Sequence, residues 1–182
     1  MRFSAKFAGA LLGLATAGLL VAPVAAQAAP AVNADEVVKA LGLASEPADY
    51  VVLVDTSGSM NQGGRYPAVR SQLRQLISGL DSDDRLSLLT FDSSVTRRYR
   101  GVVGTNPEII LAKLPATAAG NHTDIGAAIA GGLEELERSD THRLTALILI
   151  TDGELDTVPG AKYAKVGSAA WKTLSTRATT LA

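Results

Sequence analysis

The chain has 182 residues, 47% of them hydrophobic, and a formal net charge of −1. That length supports one domain with a real core rather than two, and the near-neutral charge leaves no basic footprint for nucleic acid. The absence of cysteine excludes disulfides, thiolate metal sites, a thiol nucleophile and a lipidated-cysteine anchor, while an aromatic content of 4% leaves the core to Val, Ile, Leu and Ala.

The N-terminus reads as a secretory leader over residues 1–28. Arg2 and Lys6 form a short basic region, Phe7 to Ala22 carries no charge, Pro23 breaks the run, and Ala26-Gln27-Ala28 has the small-x-small pattern of a cleavage site. An uncleaved anchor is the competing reading; the apolar run is short and rich in Gly and Ala, which argues against a membrane span. The expected location is therefore secreted or in the cell envelope, with no membrane span after cleavage. Residues 29–47 read as a linker with a short helical patch, opened by Asp35 and Glu36, with an apolar side of Val37, Val38, Leu41 and Leu43, and ended by Gly42 and Pro47.

Tyr50 to Val54 is a continuous apolar, β-branched run, the pattern of a central strand buried on both faces. A polar turn with three glycines spans Asp55 to Gly64. Pro67 then suits a first helical turn, and Val69, Leu73, Leu76, Ile77 and Leu80 follow at helical spacing. Leu86–Phe91 and Val95–Val103 read as two strands joined by the short turn Asp92-Ser93-Ser94, hence an antiparallel hairpin. A short helix after Pro107 uses Ile109, Ile110 and Leu114. The next helix, capped by Thr123, is expected to bury Ile125, Ile129, Leu133 and Leu136 and to expose Glu134, Glu135, Glu137 and Arg138. Ala146–Ile150 is a fourth, wholly apolar strand, and Tyr163, Val166, Ala170, Leu174 and Leu181 suggest a last helix.

The pattern predicts an α/β fold, a mainly parallel Rossmann-like sheet with one antiparallel edge hairpin and helices on both faces. Ligands of such sheets sit beyond the carboxyl ends of the strands. Two buried strands here run into aspartates, Asp55 and Asp152. If those strands are parallel neighbours, both carboxylates share one edge. In Asp55-Thr56-Ser57-Gly58-Ser59, side chains two apart project to one side, so a carboxylate and two hydroxyls converge. Such hard oxygen donors suit Mg²⁺, Mn²⁺ or Ca²⁺ rather than zinc or copper.

Asp55-Thr56-Ser57-Gly58-Ser59-Met60 after a buried strand resembles the first motif of the von Willebrand factor type A domain. Thr123, within Gly120-Asn121-His122-Thr123-Asp124-Ile125-Gly126, matches that family's second motif, and Asp152, within Ile150-Thr151-Asp152-Gly153-Glu154, matches its third. The resemblance covers residues 48–182. It implies a metal-ion-dependent adhesion site in which Ser57 and Ser59 bind the cation through their hydroxyls, Thr123 binds directly or through water, and Asp55 and Asp152 act mostly through ordered water. Mg²⁺ is the first choice of ion. It also implies a non-enzymatic module whose protein ligand presents an acidic side chain to the ion. Asp124 is a candidate for capping its helix or orienting a water.

Two other functions compete. The first is an assembly or regulatory module of an envelope complex with a structural metal. The second is a hydrolase. The turn lacks the Gly-x-Ser-x-Gly elbow, and the only histidines are His122, beside Thr123, and His142, both read as solvated loop residues. The family sheet has six strands in the order 3-2-1-4-5-6 and only four are legible here. The domain is therefore expected to be truncated, with Ala146–Ile150 left at an edge.

Overall fold

The computed structural model describes residues 47–138 and 144–181. The expected leader, nearly all of the linker with its helical patch, and His142 lie outside the described residues. Four strands, β1 (Asp49–Asp55), β2 (Arg85–Phe91), β3 (Val95–Val102) and β4 (Thr145–Ile150), form one sheet in the order β3-β2-β1-β4. β1 pairs parallel with both β2 and β4, while β2 and β3 form the antiparallel hairpin read from the sequence. Among the described residues four α-helices accompany them: α1 (Arg65–Ser78), α2 (Pro107–Leu111), α3 (Ile125–Leu136) and α4 (Ala169–Leu181).

Alternation along the strands divides the core. Val52, Val54, Leu86 and Leu88 pack with Tyr66, Val69, Leu73 and Ile77 of α1 and Ile110 and Leu111 of α2. Val51, Leu53, Leu89 and Phe91 face the other way, against Ala128 of α3. Leu133 of α3 joins Leu174 of α4 and Tyr163 in a third cluster. The continuous apolar run at β1 is thus two alternating faces, each covered by a helical layer. β4 lies at the sheet edge, and Ala146–Ile150 are half-buried.

Three expectations are corrected. Glu135 is not solvated: it is 3% exposed and faces the sheet. Its Oε2 accepts from Ser87 Oγ at 3.2 Å, and Arg97 and Arg138 each reach its Oε1 at 3.0 Å. A bulge makes this possible. Register shifts between Leu88, opposite Tyr99, and Leu89, opposite Arg97, so Arg97 and Arg100, three residues apart, both come to the α3 side. Of the two cap candidates the helix takes Asp124 and not Thr123: the Asp124 carboxylate accepts from Ala127 N at 2.9 Å. Thr123 is held instead in an isolated antiparallel bridge with Asp156. The last helix begins at Ala169, so Tyr163 and Val166 precede it. Gly167, at φ +80°, stands where continued right-handed helix would need a negative φ.

The loop between α1 and β2 is closed by Asp84, which is 5% exposed and accepts from Ala48 N at 2.7 Å and Asp81 N at 2.9 Å. Asp84→Ala strands both amides. A loss of about 1–3 kcal/mol is expected, read as a lower urea midpoint with an unchanged slope.

Candidate functional site

The site is assembled at the carboxyl end of β1, where three separate segments meet. Asp55, the last residue of β1, is fully buried. Its Oδ1 accepts from Ser57 N at 2.8 Å, which curls the chain back and turns the Ser57 side chain toward Ser59. The two hydroxyl oxygens lie 3.1 Å apart. A short 3₁₀ segment, Gly58–Gly64, follows, and Gly63 and Gly64, at φ +60° and +73°, swing the chain into α1.

The second segment is pinned directly to this turn. Ser57 and Gly120 form a parallel bridge, in which Gly58 N donates to Gly120 O at 2.7 Å and Gly120 N donates to Thr56 O at 2.8 Å. A Cβ at Gly120 would lie 2.3 Å from that of Asp92, so only glycine allows this approach. Upstream, the carbonyl of Pro115 accepts from Tyr66 Oη at 2.8 Å and Arg70 Nη1 at 3.0 Å, tying the same loop to α1. Thr123, 4% exposed, is presented at the loop's end.

The third segment follows β4. Val54 is paired with Ile150, so Thr151 falls beside Asp55, and Thr151 Oγ1 donates to Asp55 Oδ2 at 2.7 Å. Asp152 comes next. Its Oδ2 is 3.4 Å from Arg65 Nη1, whereas its Oδ1 is buried with no hydrogen-bond partner. Beyond it, Asp156 joins Thr123 through paired main-chain hydrogen bonds. Its carboxylate lies 3.1 Å from His122 Nδ1 at the rim.

A depression of about 320 Å³ is lined by Ser57, Ser59, Gly120, Asn121, Thr123, Glu154 and Asp156. Ser57, Ser59 and Thr123 therefore share one opening, with Asp55 beneath and Asp152 beside Arg65. Burial pushes the Asp55 carboxyl above its ordinary value, and the Asp152 charge adds to this. The hydrogen bonds from Ser57 and Thr151 pull the other way. A cation would offset both the burial that disfavours charge on Asp55 and the missing partner of the neighbouring Asp152 oxygen. Among the described residues no three His, Cys, Asp or Glu side chains converge, and the candidate donors are three hydroxyls with the carboxylates of Asp55 and Asp152. All are hard oxygens, and the residues fit a hard divalent ion.

Sequence reading missed Thr151, Arg65 and Gly120. Thr151 was accessible in principle, because pairing the two apolar strands in parallel places the residue after Ile150 next to Asp55. Arg65 carries no such signal; only the turn at Gly63-Gly64 directs it to the site.

A 28% identical stretch of 124 residues is shared with the uncharacterized protein sll0103 of Synechocystis, covering 68% of this chain and 29% of that protein. The chain spans less than a third of the length of the curated relatives it matches. A solved von Willebrand factor type A structure from Catenulispora acidiphila superposes with a TM-score of 0.59 at 13% identity, over 73% of this chain and 31% of that one. The pilus adhesin SpaC of Lactobacillus rhamnosus GG, in its open conformation, gives 0.53 at 25% identity, over 60% of this chain and 15% of the adhesin. The sequence model for the von Willebrand factor type A domain matches residues 50–154, more than half of the chain, and the chain belongs to that family.

Proposed function

We propose that the chain is an extracytoplasmic, non-enzymatic protein-binding module. It takes a divalent cation, Mg²⁺ first, on Ser57, Ser59 and Thr123, with Asp55 and Asp152 acting behind them through water. A ligand's acidic side chain completes the ion's shell. The observation that carries this reading is the meeting of three chain segments around one opening, where two hydroxyls sit 3.1 Å apart over a buried aspartate. With both carboxylates acting through water, the atoms that touch the ion are neutral hydroxyls, and an incoming carboxylate supplies direct negative charge. The fold likeness to a pilus adhesin and the leader-like N-terminus support an envelope or secreted location. Among the described residues no helix is long and apolar enough to cross a membrane.

Chemistry at the site is poorly supported. A serine or threonine nucleophile needs a base within hydrogen-bond reach. His122 is paired with Asp156, and among the described residues no histidine is hydrogen-bonded to a serine or threonine hydroxyl.

The test is retention of immobilised Asp- and Glu-containing peptides by the purified protein in Mg²⁺ and in EDTA. Retention in Mg²⁺ that disappears in EDTA, and that is lost from peptides with Asn and Gln in place of the acids, is the expected result. Retention indifferent to EDTA would favour the assembly module with a structural metal.

A further inference from the structure

Arg65, the first residue of α1, reaches two of the segments that carry the candidate donors. Its Nη1 donates to the Ser59 carbonyl at 3.1 Å and lies 3.4 Å from Asp152 Oδ2. It thereby bridges the Asp55–Ser59 turn and the segment after β4. The Arg65 side chain is 51% exposed, that of Asp152 only 13%. We propose that Arg65 is a built-in competitor of the divalent cation: guanidinium and cation contend for the Asp152 carboxylate, and cation binding releases Arg65 toward solvent.

The inference rests on the cation reading above and deepens it. A guanidinium cannot shed its charge by losing a proton, so it can relieve repulsion from a divalent ion only by moving. The contacts make that movement easy. Arg65 touches Asp152 through one nitrogen at 3.4 Å rather than through a bidentate fork, and half of its side chain already faces water. Asp152, by contrast, is fixed by its place after β4, and its second oxygen is buried without a partner. The carboxylate therefore stays and the arginine leaves. The consequence is a cation affinity set below what the donors alone would give, so that the site fills only when the cation is plentiful or a ligand carboxylate adds to its binding.

The experiment is calorimetric titration of the whole protein with Mg²⁺ alone and with Mn²⁺ alone, for wild type, Arg65→Gln, Asp152→Asn and the double variant. Arg65→Gln is expected to bind about tenfold more tightly, a difference of about 1.4 kcal/mol. In the Asp152→Asn background the same change is expected to gain less than about twofold, because the contested carboxylate is gone. A second readout needs no variant at position 65. The Nε–Hε resonance of Arg65 in the wild-type protein should shift toward that of a free guanidinium as Mg²⁺ is added, and should stay in place in Asp152→Asn. Equal or weaker binding by Arg65→Gln, with wild type still taking up the ion, overturns the competition and leaves the cation site standing. No uptake of either ion by wild type or Arg65→Gln overturns both.

Discussion

Asp55→Asn is expected to melt higher than wild type in EDTA and to lose the entire Mg²⁺-induced rise. The two effects have opposite signs and one cause. Asp55 is fully buried, and burial is the largest influence raising its carboxyl above the ordinary 3.8. Because the folded protein holds this proton more tightly than the unfolded chain, unfolding releases it between 3.8 and the raised value. Stability contributed by this group is therefore present at low pH and is lost as pH rises through that window, leaving a constant penalty above it. Asparagine removes the buried charge while its amide oxygen still accepts from Ser57 N. With the cation present the balance reverses, because the ion needs the charge that burial opposes. At a hundredfold excess over the dissociation constant, a ligand of the folded state adds about 2.7 kcal/mol. For a domain of this size that is a rise of roughly 8–10 °C in wild type, with none in Asp55→Asn. Differential scanning calorimetry in EDTA and in saturating Mg²⁺ checks both halves. Equal Mg²⁺ shifts in the two proteins would remove Asp55 from the site.

Gly132→Val is expected to cost about 3 kcal/mol, while Gly131→Ala, one residue earlier in the same helix, is expected to be neutral within about 1 kcal/mol. α3 runs so close to the sheet at Gly132 that a Cβ there would lie 2.6 Å from Leu147 Cδ1 and 3.1 Å from Leu53 Cδ1. Leu53 is fully buried, so it has nowhere to go, and added volume forces the helix off β1 and β4. At Gly131 the nearest atom is Val95 Cγ1 at 3.1 Å, on a partly buried side chain of the edge strand β3. There the roughly 1 kcal/mol that alanine gains over glycine in a helix offsets the crowding. Urea midpoints of the two variants give the contrast directly. Comparable losses would show that the packing of α3 against the sheet is looser than these distances imply.

Much of the fold was legible because it is written in local patterns. The apolar runs at Tyr50–Val54, Leu86–Phe91 and Ala146–Ile150 all became strands, since only a sheet covered on both faces tolerates such runs. Val69, Leu73 and Ile77 became the buried side of α1, since helical spacing aligns them. The short turn after Phe91 dictated the hairpin. The five candidate donors were also named from the chain alone, through the resemblance of three short motifs.

Helical spacing misled at α3. The buried positions include Gly126, Ala128, Gly132 and Glu135, while Ile125 and Ile129 are half-buried. Close packing selected small residues, and three arginines gathered on Glu135 make its burial tolerable, two of them brought in by a bulge that no local pattern announces.

Apolar runs and helical spacing, which report only whether a residue faces the core or the solvent, thus determined the strands and α1, while motif resemblance named the candidate donors. Tertiary structure alone decided the register that sets Thr151 on Asp55, the bridge that joins Thr123 to Asp156, and the turn that aims Arg65 at Asp152. Each of those is a pairing between groups far apart in the chain, fixed by hydrogen bonding and charge compensation at short range, and no local periodicity records it.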